Sequence, residues 1–263
     1  MKILFIGEIF GRPGRGIAKR HLPALLEKFS PDCVIANAEN LASGRGATVK
    51  TLRGLADFKV NLFTMGDHAF DCLEPFETQE FSRKIARPAN FPNCEIGQGF
   101  ATFTAETGEK LLLLNLLGRV FVGKNLTDCP FQTLQKVLAQ FSEEHFDAVV
   151  LDFHAEATSE KAAMKFFADG KVSAILGSHT HVATCDAQVS QQGTFFVTDV
   201  GMSGAVDSMI GFSFASVWPR FFHSGERTRF EVEKKGTKVL QGFFLDICKR
   251  KVQKFERFEV IEK

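Results

Sequence analysis

The stretch VSAILGSHTHVAT, residues 172–184, reads as a buried strand that stops abruptly on His179, Thr180 and His181. A short apolar run closed by a turn glycine is what a strand covered on both faces requires. The same construction recurs four more times along the chain. ILFIG (residues 3–7) ends on Glu8, CVIANA (33–38) on Glu39 and Asn40, LFTMG (62–66) on Asp67 and His68, and AVVLDF (148–153) on His154. In an open α/β sheet of parallel strands, ligands bind in the crevice beyond the carboxyl ends of the strands, so the residues after these five runs should converge. Eight nitrogen and oxygen donors would then share one cavity.

Helical and strand periods fill the intervals with a βαβ rhythm. The cluster GRPGRG (residues 11–16) reads as a tight turn leading into a helix through Ile17, Leu22, Leu25 and Leu26. It lacks the Gly-Lys-Ser/Thr ending with which a phosphate loop holds nucleotide and magnesium. Strands are expected near residues 32–36, 61–65, 147–153, 171–177 and 194–198, a hairpin at 100–116 around Thr107-Gly108, and helices at 49–58 and 131–141. Thr158 or Ser159 is expected to cap a further helix that Gly170 closes. From Arg229 onward, three alternating strands separated by Lys235-Gly236 and residues 249–251 suggest an antiparallel meander. Two sheets with helices on their outer faces account for both patterns, within a single domain spanning residues 1–263.

Composition narrows the function. The net charge is +1, so no global field recruits nucleic acid or a membrane surface. The tail from Ser224 holds 11 Lys/Arg against 7 Asp/Glu, a balance of +4. Its basic residues alternate with Phe, Val and Ile as a half-buried strand requires, so a long nucleic acid is not the expected main ligand. No run approaches the roughly 18 apolar residues of a membrane span. The six cysteines show no CxxC spacing, which fits a reducing cytoplasm, and Cys185 is read as a buried inert thiol. Tyr is absent, so proton transfer falls to His, Asp, Glu, Lys or water.

Seven of the eight donors are competent metal ligands: Glu8, Glu39, Asn40, Asp67, His154, His179 and His181. That is too many for one tetrahedral zinc but suits two ions with water completing their shells. His179 and His181 stand two residues apart, which on an extended segment turns both to one side, and one imidazole per ion is expected. Glu39, with two carboxylate oxygens, can bridge the ions at the roughly 3.5–4 Å that two-metal hydrolysis uses. His68, beside Asp67 but aimed elsewhere, is left to protonate a departing alkoxide. Asp152 or Glu156 would hold the second ring nitrogen of His154. The segment Arg87-Pro88-Ala89-Asn90 and the glycine-rich residues 201–211 are candidates for the entrance.

The strings FIGEIFGRPGR, NAEN, MGDH, RPANFP, DFHAEATSEK, GSHTHVAT and TDVGMSG resemble the bacterial YmdB-like metallophosphoesterases, a branch of the calcineurin-like superfamily. The likeness runs from about Met1 to Gly211 and continues more loosely beyond. It implies an α/β fold of the metallophosphoesterase type: a four-layer αββα sandwich of two mixed sheets flanked by helices. It further implies a phosphodiesterase acting on 2′,3′-cyclic or 3′,5′-cyclic nucleotides, with two ions per chain, iron or manganese before zinc or magnesium. Carried over by position, Glu8, Glu39, Asn40 and His181 would hold one ion, and Glu39, Asp67, His154 and His179 the other. A hydroxide shared by the ions would attack phosphorus, with His68 as general acid. A homo-oligomer and a protein partner in RNA turnover belong to the same implication.

Glu8 stands where the family pattern has Asp, and Asp67 where it has Asn. Both are competent oxygen ligands, so metal should be retained. The added charge of Asp67 would bind metal more tightly while weakening it as a Lewis acid, which implies slower turnover. A catalytically weak metal- or nucleotide-binding regulator and a phosphomonoesterase are the alternative readings.

Overall fold

The computed structural model describes residues 1–122, 127–222 and 228–263. In chain order the elements are β1 (Lys2–Ile6), β2 (Glu8–Ile9), α1 (Gly11–Phe29), β3 (Cys33–Asn37), α2 (Val49–Ala56), β4 (Leu62–Thr64), α3 (Glu74–Glu77), β5 (Ile85–Ala86), β6 (Phe100–Thr104) and β7 (Lys110–Leu117). They continue with α4 (Pro130–Gln140), β8 (Ala148–His154), α5 (Thr158–Ala168), β9 (Ala174–Ser178), β10 (Gln188–Val189), β11 (Phe195–Val197), β12 (Met202–Ala205), α6 (Phe214–Phe222), β13 (Lys238–Cys248) and β14 (Lys251–Glu262).

The strands form two mixed sheets. One runs β2-β12-β13-β1-β3-β4-β5, with β14 paired to β13; the other runs β10-β11-β9-β8-β7-β6. The period-2 alternation of strand side chains then sets the layers. Along β1, Ile3 and Phe5 turn inward to a core shared with Leu111, Leu113, Val150 and Leu176 of the facing sheet. Leu4 and Ile6 turn outward, where α1 and α2 cover them with Ile17, Leu22, Leu52 and Leu55. On the far side Leu112, Leu114, Val149 and Leu151 face outward beneath α4 and α5. The result is the expected four-layer αββα sandwich.

Several boundaries differ from those read in the sequence. Residues 11–16 are the first turns of α1 rather than a turn before it. A Cβ at Gly14 would overlap the Ser203 carbonyl oxygen, so the glycine lets the helix lie against β12. The residues 201–211 contain β12, which pairs in parallel with β2 and places Met202 opposite Glu8. Neither Thr158 nor Ser159 caps α5: its N-cap is Ala157, with no side-chain cap bond. Only two of the three C-terminal strands form. Val232 makes one isolated bridge to Phe212, because residues 231–236 hold four charges and a glycine with little apolar surface to bury.

Candidate metal centre

Glu8 follows β1, Glu39 and Asn40 follow β3, Asp67 and His68 follow β4, His154 closes β8, and His179 to His181 follow β9. These strands run parallel within each sheet, so their carboxyl ends share one edge of the sandwich. There the sequence-derived ligands meet. Glu39, Asp67, His154 and His179 each present a donor atom within 4.8 Å of the others, and so do Glu8, Glu39 and His181. Glu39 belongs to both groups. Asn40 joins the second: its amide nitrogen lies 3.0 Å from Glu39 Oε1 and 3.2 Å from His181 Nε2. Turned end for end, the same amide offers Oδ1 to that space.

Glu8, Glu39, Asn40 and His154 form a buried floor, and Asp67, His68, His179 and His181 a partly exposed rim. Gly66 makes room for the floor. A Cβ there would overlap Glu39 Oε2 and come within 2.5 Å of His154 Nε2.

Each imidazole of the two donor groups has its other nitrogen held. Ser178 Oγ gives its proton to Asp152 Oδ1 (2.5 Å), so His154 Nδ1, at 2.9 Å, must donate to Ser178. That leaves the lone pair of His154 Nε2 facing Asp67 Oδ1 at 3.2 Å and Glu39 Oε1 at 3.3 Å. His181 Nδ1 donates to the Ile210 carbonyl (2.7 Å), leaving Nε2 toward Glu8 Oε1 at 3.6 Å. His179 Nε2 lies 3.1 Å from Glu156 Oε2, with Nδ1 turned to the cluster. Such outer partners fix tautomer and ring orientation at metal sites. Of the two carboxylates expected to hold His154, Asp152 therefore acts through Ser178, and Glu156 serves His179.

The donor set fits cations. Glu8 Oε1 accepts the His179 amide at 3.0 Å, but Oε2 is buried without a hydrogen-bond partner. An orphaned buried carboxylate oxygen is costly unless a cation occupies the space before it. Burial pushes the Glu8 carboxyl well above its ordinary value, reinforced by Asp199, Glu39 and Asp152, and burial with Asp67 does the same to Glu39. Burial also pushes His154 down to about 3, so its ring is neutral and able to ligate. Burial lowers His179 and His181 in the same direction. Asp67 differs: burial would raise it, but its place beside His154, His68 and His179 holds it below the usual carboxylate range.

The segment carrying the two histidines is not extended. His179 and His181 have φ of 100° and 66°, the left-handed region, at a cost of about 1–3 kcal/mol each for non-glycine residues. This is why the rings reach different groups instead of sharing a side. His68 stands outside both groups, with Nδ1 3.1 Å from Asp71 Oδ2.

Around the centre one segment is braced by its own side chains, and one expectation fails. The Arg87 guanidinium is spent on the carbonyls of Ile96, Pro88 and Cys94, and the Asn90 amide on those of Leu117 and Asp128, so both are loop braces. Cys185 is exposed rather than buried. Lys161, Ser178 and Asp199, all buried beneath the His179–His181 segment, were not singled out by sequence reasoning. Lys161 looks like one more helix-surface lysine in SEKAAMK, and nothing in spacing alone turns it inward.

Fold and donor set together define a metallophosphoesterase. Within that class the chain belongs to the YmdB-like family, whose model, described as YmdB-like protein, matches residues 4–259. It is 38% identical over 259 residues to the 2′,3′-cyclic-nucleotide 2′-phosphodiesterase of Bacillus subtilis (strain 168), covering 98% of this chain and 96% of that protein. The crystal structure of a hypothetical protein from Thermus thermophilus superposes with a TM-score of 0.91 at 36% identity, covering all of both chains. That of a phosphatase from Mycoplasma pneumoniae gives 0.88 at 33%, covering 99% of this chain and 93% of the other.

Proposed function

We propose that the chain is a dinuclear phosphodiesterase that opens cyclic nucleotides, 2′,3′-cyclic nucleotides first and 3′,5′-cyclic ones as the comparison class. The observation that carries this reading is the sharing of Glu39 between two donor groups. The name of the Bacillus subtilis relative supports the substrate class. Glu8, Glu39, Asn40 and His181 would hold one ion, and Glu39, Asp67, His154 and His179 the other. Three imidazoles among oxygen donors suit iron or manganese, with zinc also compatible and magnesium less so.

Bound there, two cations supply neutralisation of the phosphate charge and a water acidic enough to lose a proton near neutral pH. The chain does the rest. Glu39 fixes the spacing of the two halves, and Gly66 keeps the floor open. The water oxygen forms a bond to phosphorus while the P–O2′ bond breaks, giving a nucleoside 3′-phosphate. His68, held at Nδ1 by Asp71, donates a proton from Nε2 to the departing 2′ oxygen.

No helix among the described residues is long and apolar enough to cross a membrane. Six free cysteines fit a reducing cytoplasm. A homo-oligomer and an RNA-turnover partner are supported by the family resemblance alone. The test is hydrolysis of 2′,3′-cyclic AMP beside 3′,5′-cyclic AMP, an aryl phosphodiester and an aryl phosphomonoester, on metal-depleted protein resupplied with manganese or iron. Multiple turnovers on the diesters that vanish with chelator are expected. Metal uptake without turnover would make the protein a regulator instead, and preference for the monoester would make it a phosphomonoesterase.

A further inference from the structure

The left-handed conformation of His179 and His181 needs something to hold it, because such backbone persists only where its surroundings over-determine it. Thr180, between the two ligands, donates from its amide (3.0 Å) and its hydroxyl (2.8 Å) to Asp199 Oδ2. The same oxygen accepts from Lys161 Nζ at 3.1 Å, and Asp199 Oδ1 accepts the Gly201 amide at 2.9 Å. Lys161 Nζ also donates to the Ser178 carbonyl at 2.8 Å. The pair therefore grips residues on either side of His179 and ties them to the segment leading into β12, where the Met202 amide donates to the His181 carbonyl at 3.1 Å.

Lys161 and Asp199 are both fully buried. A buried ion pair is a poor way to gain stability, since apolar residues of similar volume often do as well or better. Its contacts here fall on the backbone that aims two ligands. We infer that Lys161 and Asp199 are positioning residues of the metal centre, which hold the His179-Thr180-His181 segment in its left-handed form so that the two imidazoles reach separate ions. Neither side chain is itself a ligand. The inference rests on the two-ion reading of the donor set.

The experiment compares the wild-type chain with two double variants, each of which removes both charges so that no buried charge is stranded. Lys161→Met with Asp199→Ala takes away every acceptor for Thr180, whereas Lys161→Met with Asp199→Asn keeps one. Manganese titration by calorimetry, well below each protein's Tm, reads stoichiometry and affinity, and the Tm of the metal-free forms reads stability separately. The expected result is a graded loss on both ions, about 10- to 100-fold for the alanine double variant, partly rescued in the asparagine one whatever their Tm values. Wild-type affinity for both ions in the folded alanine variant would overturn the inference, since a merely structural pair lowers Tm alone. A wild-type protein that takes up no manganese would overturn the metal reading and this inference with it.

Discussion

Ser178 Oγ lies 2.9 Å from His154 Nδ1 and spends its own proton on Asp152, so one hydroxyl decides which nitrogen of His154 is free to ligate. Ser178→Ala removes the acceptor for the Nδ1 proton and lets the ring change tautomer or turn. Manganese affinity at the ion shared by Glu39, Asp67, His154 and His179 should fall about 10- to 100-fold, with the ion at Glu8 and His181 less affected. Calorimetric titration resolving the two ions checks this.

His68 contacts Asp71 and belongs to neither donor group. His68→Ala should therefore keep both metals and lower kcat by about 10²- to 10⁴-fold, the range for removal of a general acid. Parallel metal analysis and steady-state kinetics decide the matter. Loss of metal in step with activity would make His68 a ligand.

Gly66 is the position where added bulk meets the centre most directly. Gly66→Ala drives a methyl into Glu39 Oε2 and against His154 Nε2. Displacing them should cost about 1–3 kcal/mol of overpacking and reduce metal content to less than the wild-type level. Thermal melts with metal analysis on the same samples measure both.

Glu8 and Glu39 are pushed up by burial while His154 is already neutral, being pushed down to about 3. Metal requires the carboxylates ionised, so binding should release protons from Glu8 and Glu39, and affinity should rise with pH. In the metal-free chain the sign reverses. A carboxyl whose folded pKa exceeds its unfolded value contributes stability below the unfolded value, and that contribution is lost as pH rises through the raised one. Calorimetry in buffers of differing ionisation enthalpy counts the protons.

Asp67 lies below the usual carboxylate range, so Asp67→Asn removes a full negative charge from the centre. Combined with Glu8→Asp, which shortens that side chain to the one the family resemblance implies, it should bind metal more weakly and turn over faster. An unchanged or lower kcat in the double variant would defeat that explanation of the two departures.

The convergence of the candidate donors was legible because each sits at a break in an apolar run, and parallel strands carry such breaks to one edge of the sheet. The four layers were legible from the βαβ rhythm, the antiparallel tail and the resemblance. What spacing could not convey depended on packing across the molecule. Residues 202–205 hide a strand inside a glycine-rich stretch because its partners, the two-residue β2 and the later β13, are both distant in the chain. Residues 11–16 hide a helix start because Gly14 answers to close contact with β12, while only Gly11 takes the positive φ of a turn. The bracing roles of Arg87 and Asn90 were hidden because their partners are backbone carbonyls, some more than 25 residues away. The left-handed His179 and His181 carry side chains that give only a weak signal for that conformation, since most histidines keep a negative φ.

The proposed sharing of Glu39 between two ions is tested most directly by electron paramagnetic resonance of manganese-loaded protein, with metal counted per chain. Two manganese ions per chain with an exchange-coupled spectrum are expected, and Glu39→Ala should abolish the coupling. A single uncoupled ion in the wild-type chain, or coupling that survives in Glu39→Ala, would contradict the dinuclear centre.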